Sequence, residues 1–397
     1  MRRRWIQRIP IAMITGTNGK TTTTRMLAHI LSKAGFNVGF ATTDGIVIRG
    51  ELIQNGDEAG YYGHCRVLKD PSVTAAVLET GRGALISEGL YIDRCDVAAL
   101  LNVGREQIDM DGIDTVEQMA ELKRKVIDAA RKTIVLNADN RLCCKLIDDF
   151  PVDRTTIFSF NPEDGRVREQ LKKGGTAYCL DESGEPQIVR MQADEAQTII
   201  SVADLPSAWG GIVRHNIANA MAAAALAEGL GVDLKTVKAG LSSFEQSAGR
   251  FNVIEGYPFL LILDTAMSPP ATEALAECLT RVDVEGRRLC MMTAVGNRPS
   301  WYYRESTAAL AQSFDHFVCY ELEQYRRGRV PGEIANLLKS ELLGNGVRAD
   351  SIDVASDYET ALWALSAKAK PGDLVVVLTE YNCTDISLVW KAFASHI

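Results

Sequence analysis

Lys20 and Thr21 sit where the run Ile9-Pro-Ile-Ala-Met-Ile-Thr-Gly-Thr-Asn-Gly-Lys-Thr-Thr-Thr-Thr24 turns from strand to helix. An apolar, strand-type stretch ends at Thr15, and a tight Gly16-Thr-Asn-Gly19 turn follows. Beyond it lies a helical pattern with apolar positions at Met26, Leu27, Ile30 and Leu31. Such a turn aims backbone N–H groups and the positive end of the helix dipole at an anion. A lysine there reaches terminal phosphates, and a following threonine hydroxyl ligates Mg²⁺. Gly16, Thr17, Asn18, Gly19, Lys20, Thr21 and Thr22 are therefore read as a phosphate cradle. The strict Gly-x-x-x-x-Gly-Lys-Thr pattern would need glycine at position 14, where the chain has Ile14.

The surrounding pattern explains how other segments could reach that cradle. Asn37–Ala41, Ala75–Glu79, Asp96–Val103 and Thr133–Asn137 read as strands, and Val116–Ala130 has helical periodicity. Strands separated by helices imply a mostly parallel, doubly wound sheet. Ligands of such sheets lie beyond the carboxyl ends of the strands. Gly16, Asp44, Glu79 and Asn102 all fall at such ends, so one crevice would gather them. Residues 150–211 change character, with more glycine and short alternating runs, and are expected to be small antiparallel strands decorating the first domain. Residues 216–244 are strongly helical and alanine-rich, which suits close helix packing. Alternation resumes with strands at Phe259–Leu263, Leu289–Ala294, His316–Tyr320 and Leu374–Leu378. The expected architecture is α/β: a P-loop-type, mostly parallel central domain over 1–248, with a β-rich insertion at 150–211, and a smaller Rossmann-like domain over 249–397.

Totals narrow the function class. The 397 residues are 46% hydrophobic and 24% charged, an ordinary globular composition. A net charge of -8 argues against nucleic acid as the main partner. The nine cysteines are odd in number and lack Cys-x-x-Cys spacing, so they read as reduced, mostly buried thiols of a cytoplasmic protein. Pro10 and the Gly16–Lys20 turn interrupt any signal-peptide core. No apolar run reaches the roughly 18 residues of a membrane span.

Several stretches together resemble the Mur ligase family, whose signature Gly-Thr-Asn-Gly-Lys-Thr stands at Gly16–Thr21. The others are Thr42-Thr43-Asp44-Gly45-Ile46, Leu78-Glu79-Thr80-Gly81-Arg82-Gly83, Asp93-Arg94-Cys95-Asp96-Val97, Gly112-Ile113-Asp114-Thr115, Leu136-Asn137-Ala138-Asp139, Arg214-His215-Asn216-x-x-Asn219 and Gly249-Arg250-Phe251-Asn252. Within that family they are most similar to the C-terminal, Mur-like half of cyanophycin synthetases. The resemblance covers nearly the whole chain and explains Ile14 as the shorter, Mur-type form of the loop. It implies an ATP- and Mg²⁺-dependent ligase that activates a carboxylate as an acyl phosphate and joins it to an amine, an amino acid or peptide. Lys20 would neutralise the γ-phosphate and Thr21 and Glu79 would hold metal. Lys123 falls where many members carry a carbamylated lysine. Asn216 and Asn219, at i and i+3 on one helix face, would contact adenine; Arg250 would reach the phosphates and Asp264 the ribose, so that domain closure completes the site.

Three motifs depart from the family pattern. Where a histidine helps hold metal, the chain reads Asn102-Val-Gly-Arg-Glu106-Gln107, and Gln107 offers only an amide oxygen. Asp-Tyr-Ala-His-Asn-Pro becomes Asp264-Thr-Ala-Met267-Ser268-Pro269, and Met267 cannot hydrogen-bond as histidine does. A Gly-x-x-x-Asp-Arg type of loop is reduced to Gly296-Asn297-Arg298-Pro299. A ligase with a shifted acceptor is one expectation. The alternative is a catalytically weakened nucleotide-binding subunit that regulates or scaffolds a partner ligase. With the cradle so near the first residue, murein precursors are not expected as substrates. The resemblance leaves room for a homodimer and for a separate ATP-grasp partner.

Overall fold

The computed structural model describes residues 9–106, 108–245, 247–380 and 386–394. The chain forms two compact units. The first holds the residues up to Gly104 together with Ile108–Glu245; the second holds the short Arg105 segment and the chain beyond Glu245.

In chain order the first unit contains β1 (Ile11–Thr15), α1 (Lys20–Lys33), β2 (Val38–Thr42), β3 (Gly45–Ile48), β4 (Glu51–Asn55), α2 (Tyr61–Lys69), β5 (Ala75–Glu79) and α3 (Arg82–Ser87). It continues with β6 (Cys95–Leu100), α4 (Val116–Asp128), β7 (Ala130–Asn137), α5 (Arg141–Ile147), β8 (Thr155–Ser159) and α6 (Gly165–Lys172). Strands β9 (Thr176–Asp181), β10 (Gln187–Gln192) and β11 (Glu195–Ser201) follow, then α7 (Arg214–Gly229) and α8 (Leu234–Ser242). All its strands join one 11-stranded sheet in the order β11-β10-β9-β8-β7-β6-β1-β5-β2-β3-β4. The stretch from β9 to β2 is parallel, while β10–β11 and β3–β4 are antiparallel wings.

Side-chain alternation splits this sheet's core in two. Ala12 and Ile14 of β1 face α1, α7 and α8, and the alanines at 220, 222–225 and 227 let α7 lie close. Ile11 and Met13 face the other way, toward α4 and α5 with Met119, Leu122, Val126, Leu142 and Leu146. Segment 150–211 differs from its expected form. Strand β8 is buried at every position and continues the parallel sheet, α6 crosses over to β9, and only β9–β10–β11 form an antiparallel ladder. The two threonines that begin β8 disguise a core strand as a polar one.

The second unit contains β12 (Asn252–Ile254), β13 (Leu260–Asp264), α9 (Pro269–Leu279), β14 (Arg288–Met292), α10 (Ser300–Ala311), β15 (His316–Cys319), α11 (Glu333–Gly344), β16 (Ile352–Val354), α12 (Tyr358–Ser366), β17 (Leu374–Leu378) and α13 (Ile386–Phe393). Its six-stranded sheet runs β12-β13-β17-β14-β15-β16, parallel except for β12. Leu261, Leu263, Leu289, Met291, Val318, Val375 and Val377 line one face with α12 and α13. Cys95, Cys143, Cys179, Cys278, Cys290 and Cys319 are all buried, and burial pushes the Cys95, Cys143, Cys179 and Cys319 thiols up to about 12. No helix among the described residues is long and apolar enough to cross a membrane.

Candidate active site

Gly16–Gly19 links the carboxyl end of β1 to the first turn of α1. Gly19 adopts φ 85°, the left-handed region, and a Cβ there would stand 2.3 Å from Asn219 Oδ1. Only glycine meets both conditions. Helix α1 has no side-chain cap and no acidic residue in its first turn, so its leading N–H groups keep their positive character.

Asn102, just past β6, holds the loop from beneath. Its Oδ1 accepts from Thr17 N at 3.0 Å and Asn18 N at 2.9 Å, and its Nδ2 donates to Asn18 O at 3.1 Å. The Thr17 hydroxyl accepts from Gly104 N at 2.9 Å. The amides of Thr17 and Asn18 are thus committed to protein. Those of Gly19, Lys20, Thr21 and Thr22 carry no hydrogen bond to protein among the described residues. The amides open to an anion are therefore fewer than the motif suggests. Lys20 Nζ donates to Thr17 O at 2.7 Å, a bond that an incoming phosphate would compete for. Lys123, on α4 and 3% exposed, donates to Gly16 O at 2.8 Å. A carbamate on that nitrogen would keep one N–H for this bond.

Three oxygens gather at the mouth of the loop. Thr21 Oγ1 donates to Glu79 Oε2 at 2.9 Å and lies 3.1 Å from Thr43 Oγ1. With the Thr21 proton on the carboxylate, the Thr43 hydroxyl donates to Thr21 in turn. Thr43 N also donates to Glu79 Oε2, at 3.3 Å. Glu79 is fully buried at the end of β5. No group of three or more His, Cys, Asp or Glu side chains among the described residues could cage a metal. A single carboxylate with hydroxyl oxygens instead suits Mg²⁺, which takes hard oxygens and fills its octahedron with phosphates and water. Gln107 lies outside the described residues.

Asn216 and Asn219 lie on α7, buried beneath the loop. Asn216 Nδ2 donates to Ser207 O at 2.8 Å, Asn219 Nδ2 to Asn216 Oδ1 at 3.1 Å, and Thr23 Oγ1 to Asn219 Oδ1 at 3.2 Å. They dock α7 against α1 and leave one N–H of each amide outside these bonds. Arg250 and Asp264 come together in the second unit. Asp264 Oδ2 accepts from Phe251 N at 2.5 Å. Burial raises its carboxyl to about 6, although the Arg250 charge and the backbone donors oppose the shift. Met267 is packed there, its carbonyl accepting from Ser306 Oγ at 3.0 Å.

Sequence reasoning placed Asn102 at the crevice without giving it a task and passed over Thr43 and His64. The signal for Asn102 was an amide closing an apolar strand beside a turn that needs both donor and acceptor. His64, fully buried on α2, reaches Glu79 O with Nε2 at 2.7 Å. Burial lowers its pKa to about 4 against the pull of that bond, so the ring is neutral.

Comparison with known proteins bears on this arrangement. The Mur ligase middle domain profile matches residues 14–227, and the profile described as Mur ligase, glutamate ligase domain, matches 249–380. The chain belongs to the Mur ligase family. It is 34% identical over 388 residues to a cyanophycin synthetase of Crocosphaera subtropica, covering 96% of this chain and 44% of that protein. This Mur ligase chain thus spans less than half the length of that relative. A UDP-N-acetylmuramoyl-L-alanyl-D-glutamate–2,6-diaminopimelate ligase of Corynebacterium efficiens is 26% identical over 372 residues, 92% of this chain and 68% of that one. A bifunctional folylpolyglutamate synthase/dihydrofolate synthase solved with Mn, AMPPNP and L-glutamate shares the fold, with TM-score 0.66 and 20% identity over 98% of this chain and 90% of that one.

Proposed function

We propose that this Mur ligase is an ATP- and Mg²⁺-dependent amide ligase that joins a small carboxylic acid to an amino acid or peptide amine. The observation that carries the reading is the Thr21–Glu79–Thr43 oxygen cluster beside the amides of Gly19–Thr22, which carry no hydrogen bond to protein among the described residues. A phosphate site alone would not need a buried carboxylate against the loop threonine.

Two anions, the acid and the γ-phosphate, must be brought together, so cations and N–H donors carry most of the catalysis. Lys20 and the first amides of α1 offset charge on the transferring phosphoryl group. Thr21 and Glu79 would hold Mg²⁺, with Gln107 as a further oxygen donor; the metal supplies charge neutralisation and in-line geometry. The acid oxygen bonds to the γ-phosphorus and ADP leaves. The amine nitrogen then bonds to the acyl carbon, the bond from that carbon to the phosphate oxygen breaks, phosphate departs with the electron pair, and the nitrogen releases a proton. Lys123 supports the loop through Gly16 O, as an ammonium or as a carbamate. The spare N–H groups of Asn216 and Asn219 are assigned to adenine, Arg250 to the nucleotide phosphates and Asp264 to the ribose.

We assign the amine to the second unit, at the carboxyl end of its parallel strands. Glu321, 2% exposed and just past β15, has Oε1 on Arg326 Nε at 2.7 Å, while Oε2 has no partner among the described residues. A buried carboxylate oxygen in that state suits a cationic group of the incoming amine. The name of the diaminopimelate ligase relative agrees with an amino acid as acceptor.

The test is ADP formation with panels of acids and amino acids, in the presence of Mg²⁺. Turnover that requires both substrates is expected, and Lys20→Ala should abolish it. Tight ATP binding without ADP from any pair would favour the nucleotide-binding subunit instead.

A further inference from the structure

Glu79 ends β5, and its main chain is held there by an arrangement that its side chain makes necessary. In a parallel ladder the N–H and C=O of one residue point to the same neighbour. Thr80 faces β1: its N–H bonds to Ile14 O at 2.8 Å, and its carbonyl accepts from Thr15 Oγ1 at 2.9 Å. Glu79 therefore faces β2, where Leu78 pairs with Ala41. Continuing that ladder would bring Thr43 N to Glu79 O. Strand β2 stops at Thr42, however, and Thr43 N turns to the Glu79 carboxylate instead. The carbonyl has lost its ladder donor to its own side chain.

His64 supplies the replacement. A carbonyl only accepts, so the proton of this 2.7 Å contact is on Nε2. Nδ1 is buried with no hydrogen-bond partner among the described residues, so the ring serves this one bond. Helix α2 comes near enough because Gly63 passes tightly over Glu58, where a Cβ would stand 2.0 Å from Glu58 O.

We propose that His64 is a positioning residue of the metal site: its Nε2–H fixes the peptide at Glu79 and so the carboxylate that Thr21 and Thr43 engage. This deepens the ligase reading and rests on Glu79 as a metal ligand. Partners that orient a ligand in this way change metal affinity by about 10–100-fold when lost.

The test uses the full chain with AMPPNP. Binding of Mn²⁺ is followed by electron paramagnetic resonance, and the melting temperature is measured without metal or nucleotide. His64→Met fills the space without a donor and is expected to weaken Mn²⁺ binding about tenfold or more, with little change in metal-free AMPPNP affinity. His64→Gln puts an amide N–H near the Nε2 position and should restore binding. His64→Asn, too short to reach, should not, and it stands in for His64→Met should that variant fail to fold. Wild-type Mn²⁺ affinity in a folded His64→Met or His64→Asn variant would overturn the proposal. So would His64→Gln recovering the melting temperature without recovering the metal. Glu79→Gln separates the two readings. If it binds Mn²⁺ as the wild type does, Glu79 is no ligand and both fall; if it loses Mn²⁺ while His64→Met retains it, only the role of His64 falls.

Discussion

Replacing Asn102 separates the support of the loop from the charge we propose it receives. The side chain makes three hydrogen bonds to Thr17 and Asn18. Thr17 N also donates to the Asn102 carbonyl at 3.0 Å and keeps that bond, so at about 1 kcal/mol each Asn102→Ala should cost roughly 2–3 kcal/mol. At about 2–4 °C per kcal/mol for a domain of this size, the first unit should melt roughly 4–12 °C lower. Asn102→Asp has nearly the same shape. It keeps both accepted bonds, now with a charged acceptor, and loses only the donation to Asn18 O, so its stability should stay within about 1 kcal/mol of wild type. Binding should respond the other way. Each phosphate charge held within roughly 10 Å of the new carboxylate would meet at least about 1.7 kcal/mol of repulsion at an effective dielectric of ~20. That is more than tenfold in affinity per charge. The assay is thermal unfolding with and without Mg·AMPPNP, where ligand at about 100 times Kd stabilises the wild type by about 2.7 kcal/mol. The expected result is a stable Asn102→Asp protein with no nucleotide-induced rise. A rise equal to wild type would refute the anion cradle. Instability equal to that of Asn102→Ala would refute the hydrogen-bond assignment.

One further substitution probes each unit. Gly19→Ala combines a left-handed backbone, costing about 1–2 kcal/mol, with a Cβ 2.3 Å from Asn219 Oδ1; displacing that amide forfeits its bonds to Thr23 and Asn216, about 1 kcal/mol each. A loss of about 3–4 kcal/mol in urea unfolding is expected, little increased by adding Asn219→Ala, which forfeits the same two bonds, and an unchanged midpoint would contradict the packing. In the second unit, burial raises Asp264 from 3.8 to about 6. The folded state therefore holds a proton that the unfolded chain has released between those values, and stability falls as pH rises through the window, by at most about 3 kcal/mol. Asp264→Asn cannot ionise, so its stability should be flatter from pH 4 to 6; a wild-type slope there would remove Asp264 as the cause.

What could be read from the chain follows the range of the interactions involved. The loop was legible because glycine, lysine and threonine at fixed spacing are dictated by a local turn. Strands Ala75–Glu79 and Leu374–Leu378 were legible with their limits because unbroken apolar runs bounded by turn residues leave little choice. Segment 150–211 was not, because Thr155 and Thr156 look half-exposed although both are buried in β8. The tasks of Asn102 and Lys123 are set by contacts 84 and 107 residues apart in sequence, and no local pattern encodes a partner at that distance. His64 was invisible for a different reason: it compensates for a strand that ends one residue early, a feature of the ladder and not of the sequence around it.

The loop's peptide groups divide between those bonded to protein and those open to a ligand. Between Gly16 and Thr17, the carbonyl takes Lys123 and the amide gives to Asn102. Between Thr17 and Asn18, the carbonyl takes Lys20 and the amide again gives to Asn102. Between Asn18 and Gly19, the carbonyl takes Asn102 Nδ2, and the Gly19 amide is the first left without a protein partner among the described residues. An uncapped helix start ordinarily leaves about four amides without a partner within the helix. Here four in succession, Gly19 to Thr22, converge at an uncapped helix end next to the Thr21–Glu79 pair. The amides of the first half of the signature are thus held by protein, and those of the second half are open to the proposed phosphate. The amides open to a ligand begin at Gly19, where the backbone is left-handed and a Cβ would meet Asn219 Oδ1.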